Sequence, residues 1–103
     1  MKIIETITEK IFDEIHDGKD YAELALQCID DHEELSQLFY ELSLDEMEHM
    51  TRLHNAVVKI IEEYRKEHGE PPADMLARYK YIHEKQIKKA ANVKAMQTMY
   101  KES

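Results

Sequence analysis

Two runs of the chain repeat their apolar positions in alternating steps of three and four. The first is Ile4, Ile7, Ile11, Glu14, Gly18, Tyr21, Ala25 and Cys28; the second is Leu35, Phe39, Leu42, Glu46, His49, Leu53, Ala56 and Ile60. That spacing draws a continuous stripe down one helix face, and it predicts helices over 3–29 and 32–68. A break at Asp17-Gly18-Lys19 is the competing reading of the first run, but the stripe stays in phase across it, which favours one helix. Asp31 with Glu34 three residues later has the pattern of an N-cap pair. Gly69 followed by Glu70-Pro71-Pro72 marks where the second helix stops. A third, more polar stripe (Met75 or Leu76, Tyr79, Ile82 with His83, Gln86 with Ile87, Ala90, Val93, Gln97, Tyr100) predicts a helix over 72–101. The fold expected is all-α and a single domain over 1–103: an antiparallel helical hairpin plus a third, C-terminal helix.

Three positions on the first two stripes carry titratable groups where the pattern asks for apolar ones: Glu14, Glu46 and His49. A carboxylate on a core-facing stripe needs a partner, a proton or a metal, because burial alone disfavours its charge. In an antiparallel pair, residues equidistant from the turn face each other. With the turn near Asp31, Glu14 lies 17 residues before it and Glu46 lies 15 after. Glu14 is therefore expected at the same height as Glu46 and His49. The Glu46-x-x-His49 spacing puts both side chains on one face, a turn apart, so that the glutamate can bridge two ions while the histidine caps one. Two carboxylates and one imidazole amount to half of the dinuclear carboxylate site that a four-helix bundle builds from four helices. Completing it takes a second copy, paired about a two-fold axis into a four-helix-bundle-type dimer. Hard oxygen donors with one imidazole per ion suit iron, with manganese or zinc also accommodated.

Composition narrows the function classes. Charged residues make up 35% of the chain and Gly plus Pro only four residues, which suits helices rather than strands or disorder. The net charge of −8 is unevenly placed: residues 1–69 hold 7 Lys/Arg against 18 Asp/Glu, whereas residues 70–103 hold 7 against 4. An acidic body speaks against nucleic-acid binding, and the split suggests that the third helix docks on the acidic part or on another subunit. No run approaches the length of a membrane span and the start lacks the apolar block of a signal peptide. The single cysteine, Cys28, fits a reducing compartment, so a cytoplasmic location is expected.

Glu14, Tyr21 seven residues on, and Glu46-x-x-His49 give residues 3–65 a pattern that resembles the ferritin-like superfamily, in particular the first half of a rubrerythrin-like di-iron domain. The gap from Glu14 to Glu46 is close to that family's helix-to-helix spacing. Small two-helix members, the encapsulated ferritins, build their site by dimerisation from Glu, Glu and His of each subunit. The resemblance implies two iron ions per dimer held by Glu14, Glu46 and His49, with Glu46 bridging. It further implies Fe(II) oxidation by dioxygen, or peroxide, at a site shared between subunits of a homodimer or higher homo-oligomer. Two features depart from the pattern: 72–101 carries no second Glu-x-x-His, and the rubredoxin-like cysteine pairs are absent.

Other residues admit two readings. Tyr21 either hydrogen-bonds a ligand carboxylate or serves as a core aromatic. His83 is an alternative ligand on the third helix or a packed histidine at its docking face, and His54 turns away from the stripe. His16, His32, Asp17 and Asp45 read as solvated, and the methionines as core filler. Against the di-iron expectation stands a non-catalytic helical oligomerisation module, in which Glu14, Glu46 and His49 only set pairing and register. A structural manganese or zinc protein is the third possibility.

Overall fold

The computed structural model describes residues 1–103 and is all-helical: α1 Lys2–Gln27, α2 Glu33–His68 and α3 Ala73–Glu102. The molecule measures 56 × 19 × 18 Å, its length set by α2, whose 36 residues span about 54 Å at the usual helical rise. No helix is long and apolar enough to cross a membrane. α1 passes through Gly18 without a break, as the uninterrupted stripe requires. Gly69 ends α2 with φ 76°, a left-handed backbone that glycine adopts without steric cost. The start of α2 differs from expectation. His32, not Asp31, stands at the N-cap, and no side chain caps the end. Asp31 and Glu34 are exposed, and Glu33 and Glu34 favour the helix N-terminus by their charge alone.

α1 and α2 form the antiparallel hairpin, and its register is fixed by two buried serines. Ser36 Oγ donates to the Ala25 carbonyl, and seven residues further along each helix Ser43 Oγ donates to the Gly18 carbonyl at 2.7 Å. Each of these carbonyls has a second lone pair to accept a bond beyond its own helical one. The side chains around the two bonds are small: Gly18, Ala22, Ala25, Ser36 and Ser43 are all buried. Beyond Gly18 the contact passes to a larger apolar cluster of Ile4, Ile11, Ile15, Val57 and Ile61, which Val93 of α3 joins.

α3 lies mainly along α1. Two buried glutamines fasten it: Gln86 Nε2 donates to the Thr8 carbonyl (3.1 Å) and Gln97 Nε2 to Ser43 Oγ (2.8 Å). The basic C-terminal part does dock on the acidic hairpin, but not through charge. The closest ion pair across that contact, Arg78 to Glu5, is exposed and 4.0 Å long. Thr8, Ser43 and His54, the residues α3 covers, lie about 60–140° around their helices from Glu14, Glu46 and His49 at the usual helical turn. Of the stripes read from the sequence, Ile4, Ile11, Gly18 and Ala25 on α1 are buried, but no position of the α2 stripe is. Ile7, Glu14 and Tyr21 on α1, Cys28 at its C-cap, and Phe39, Leu42, Glu46, Leu53 and Ile60 on α2, are only half-buried. Leu35, His49 and Ala56 are exposed. One long side of the hairpin thus stays open, and it is the side carrying the titratable groups.

Candidate metal centre

The height of each candidate ligand follows from the serine register. Glu14 is one helical turn from Gly18, and Glu46 is three residues beyond Ser43, so a bond between Gly18 and Ser43 brings the two carboxylates level. His49, a turn further along α2, closes the group. One donor atom from each of Glu14, Glu46 and His49 lies within 4.8 Å of the others. The three side chains that the stripes single out are therefore one cluster in space.

Within the cluster the groups converge without hydrogen-bonding each other. His49 Nδ1 lies 3.6 Å from Glu14 Oε2 and 3.8 Å from Glu46 Oε2, beyond the usual N–H···O range. Glu46 Oε2 is buried and has no hydrogen-bond partner. A buried carboxylate oxygen left in this way is costly unless something positive meets it. Exposure falls in order across the group: the His49 side chain is 49% exposed, Glu14 25% and Glu46 19%. The imidazole marks the open side of the centre and Glu46 its floor. Two carboxylates and an imidazole with donor atoms within 4.8 Å of each other, close to twice a metal–ligand bond of about 2.1 Å, fit a divalent first-row ion by donor type. Glu46 Oε2, the orphaned acceptor, is the atom such an ion would satisfy.

Tyr21 does not reach Glu14 or Glu46. Its ring stacks on Phe39 with centroids 6.1 Å apart, and its hydroxyl makes no hydrogen bond to Glu14 or Glu46. Asp17 and Asp45 are exposed. His83 lies away from the cluster, packed at the α3 docking face, where its ring stacks on His54 at 4.6 Å and on Tyr79 at 6.0 Å. His54 does turn away from the stripe, as its position five residues after His49 predicts, but toward α3 rather than solvent. The parallel rings of His54 and His83, 12° apart, direct their in-plane lone pairs side by side rather than toward a common point.

Sequence reasoning missed Ser36 and Ser43. The signal was present: Ser36, Ser43, Met50 and Val57 recur every seven residues beside the stripe, a second seam in which two hydroxyls are followed by two apolar groups. Comparison with known protein families, curated proteins and solved structures gives no match.

Proposed function

We propose that this chain is a dinuclear metal protein of the carboxylate type, whose centre is completed by a second copy and oxidises Fe(II) with dioxygen. The observation that carries the reading is the convergence of Glu14, Glu46 and His49 within 4.8 Å around a buried Glu46 oxygen that has no donor. Each subunit supplies two carboxylates and one imidazole, half of the donors a dinuclear site needs. The open side of the hairpin, half apolar and bearing the exposed edge of His49, is the face the second copy covers. Its apolar residues lose contact with water on pairing, which supplies the driving force. Bound ferrous iron supplies the electrons for reduction of dioxygen. The protein's own part is to hold two carboxylate oxygens and an imidazole nitrogen together, to keep Glu46 dry, and to shield the centre once the faces close.

A second reading has its own observation. The approach of His49 to both glutamates also suits an ionic pairing that fixes register without metal. Anaerobic titration with Fe(II) separates the two. The metal reading expects saturation at about two ions per dimer, an arithmetic consequence of one half-site per chain. It further expects a transient visible absorption on admitting air, and loss of both in Glu14→Ala and His49→Ala. No tight binding by the wild-type protein, with variants that lose only stability, establishes the pairing role instead.

A further inference from the structure

The two glutamines that fasten α3 do different things. Gln86 reaches the Thr8 carbonyl and so ties α3 to α1 alone. Gln97 reaches Ser43 Oγ, and that hydroxyl in turn reaches the Gly18 carbonyl, so one buried chain of hydrogen bonds crosses all three helices at one height. The height matters: Gly18 is one turn from Glu14, and Ser43 is three residues before Glu46.

We propose that Gln97 is a positioning residue for the metal centre, acting through Ser43 and Gly18, and that docking of α3 is thereby coupled to metal affinity. The inference rests on the metal-binding reading above. A serine hydroxyl inside a helix has a competing acceptor, the carbonyl four residues back in its own helix, here that of Phe39. With the Gln97 N–H bonded to the hydroxyl oxygen, the hydroxyl hydrogen is turned outward onto Gly18. Without Gln97 the hydroxyl is free to swing back to its own helix. The α1–α2 bond nearest the ligands then opens while Ser36–Ala25, seven residues away, stays closed. Gln97 and Ser43 are both buried, so water does not readily substitute for either partner. Coupling of this kind is reciprocal: an ion that holds Glu14 level with Glu46 also favours the closed hydrogen-bond chain, and with it the docked α3.

The test compares Gln97→Leu and Ser43→Ala with Gln86→Leu in the full chain, using Co(II) as the probe ion. Helical content by circular dichroism confirms that each variant folds. Gln97→Leu and Ser43→Ala are expected to bind Co(II) about tenfold more weakly, the usual effect of losing a group that orients a ligand. Gln86→Leu breaks an equivalent docking bond and is expected to bind as the wild type does. Co(II) is expected to slow amide exchange along α3 in the wild type and in Gln86→Leu, and not in Gln97→Leu. Wild-type affinity in Gln97→Leu, or an equal loss in Gln86→Leu, overturns the proposal, since α3 is then only a general stabiliser. If the wild type binds no Co(II), the metal reading fails by itself. The hydrogen-bond chain is then judged in metal-free protein by exchange around Gly18: faster in Gln97→Leu than in Gln86→Leu supports it, and equal rates overturn it.

Discussion

A Cβ placed on Gly18 would lie 3.1 Å from Met47 Sδ and 3.5 Å from Glu46 Cβ. Glycine in a helix interior costs about 1 kcal/mol relative to alanine, and here the cost accompanies close approach of α1 to α2 beside Glu14 and Glu46. The shorter of the two distances is to a thioether, a flexible group that can shift by a few tenths of an ångström. Gly18→Ala is therefore expected to leave stability within about 1 kcal/mol of wild type, the gain in helix propensity offsetting the crowding of Met47. Gly18→Leu has no such escape, because its longer side chain meets Glu46 as well. It is expected to destabilise by about 1–3 kcal/mol through overpacking and to abolish metal binding by separating Glu14 from Glu46. Urea denaturation and metal titration of the two variants check both halves. A well-bound metal in Gly18→Leu would show that the close approach is dispensable.

The orphaned Glu46 oxygen makes a sharper prediction. In metal-free protein the glutamate occupies a half-buried stripe position that leucine would fill without stranding a polar atom. Glu46→Leu is expected to stabilise the apo protein by about 1–2 kcal/mol, the scale of relieving one unsatisfied buried polar group, while eliminating metal binding. Gain of stability with loss of binding is the signature of a site maintained for function. Denaturation midpoints measured in the presence of a chelator decide it: a Glu46→Leu protein less stable than wild type places the carboxylate in a stabilising contact instead.

The hairpin and the candidate centre were legible in the sequence because both depend on periodicity. Steps of three and four put Glu14, Glu46 and His49 on helix faces, and the turn near Asp31 set their relative height. What periodicity could not reveal was which side of the hairpin α3 would cover. On α2 the stripe runs mainly through large apolar residues, whereas the buried positions near the turn are Ser36 and Ser43, opposite the small Gly18 and Ala25 of the α1 stripe, and hydropathy ranks such small hydroxyl residues low although close packing of backbones favours them. Charge misled in the same way. The acidic and basic segments do meet, yet Gln86 and Gln97, uncharged and buried, make the contact. The cap at Asp31 failed for a local reason: with His32 at the N-cap, neither Asp31 nor Glu34 is in register to close the box.

The stacked histidines at the α3 contact predict a pH dependence. Burial first, and then the charge of His83, hold the His54 imidazole below the usual histidine range. The ring lies in an apolar groove lined by Ile11 of α1, Met50 and Thr51 of α2, and Ile87 and Ala90 of α3. The titratable groups facing it are His83 and, beyond that ring, Tyr79, whose hydroxyl burial pushes up. Neither imidazole has a carboxylate within ion-pairing distance, in contrast to His16, His49 and His68. With its folded value depressed, His54 takes up a proton more readily when α3 is undocked or the chain is unfolded. Its contribution is intact above the ordinary histidine value of about 6.5 and is lost as the pH falls from there toward the folded value. Thermal unfolding is expected at a lower temperature at pH 5.5 than at pH 7.5, with part of the fall removed in His54→Phe, which keeps a ring against His83. Equal pH slopes for the two proteins would rule out His54 as a source of the effect.

Leu35 tests the open face from its edge. It lies on the same stripe as Glu46 and His49, about three and four turns from them toward the interhelical connection, and in the single chain it is 42% exposed. An isolated hairpin gives a lysine there ready access to water, with the stem lying along apolar surface and the ammonium free. Leu35→Lys is accordingly expected to change the stability of a monomer by no more than about 0.5 kcal/mol, the usual range for surface substitutions. If a second copy covers the face, two lysines per dimer are brought into the interface by the two-fold axis, and desolvating them opposes association. Sedimentation velocity over a concentration series reads the outcome directly. The expected result is a wild-type dimer, a Leu35→Lys protein shifted toward monomer with unchanged helical content, and metal binding that weakens in parallel because each chain holds only half of the donors. A wild type that sediments as a monomer while binding metal at full affinity would mean that Glu14, Glu46 and His49 suffice within one chain.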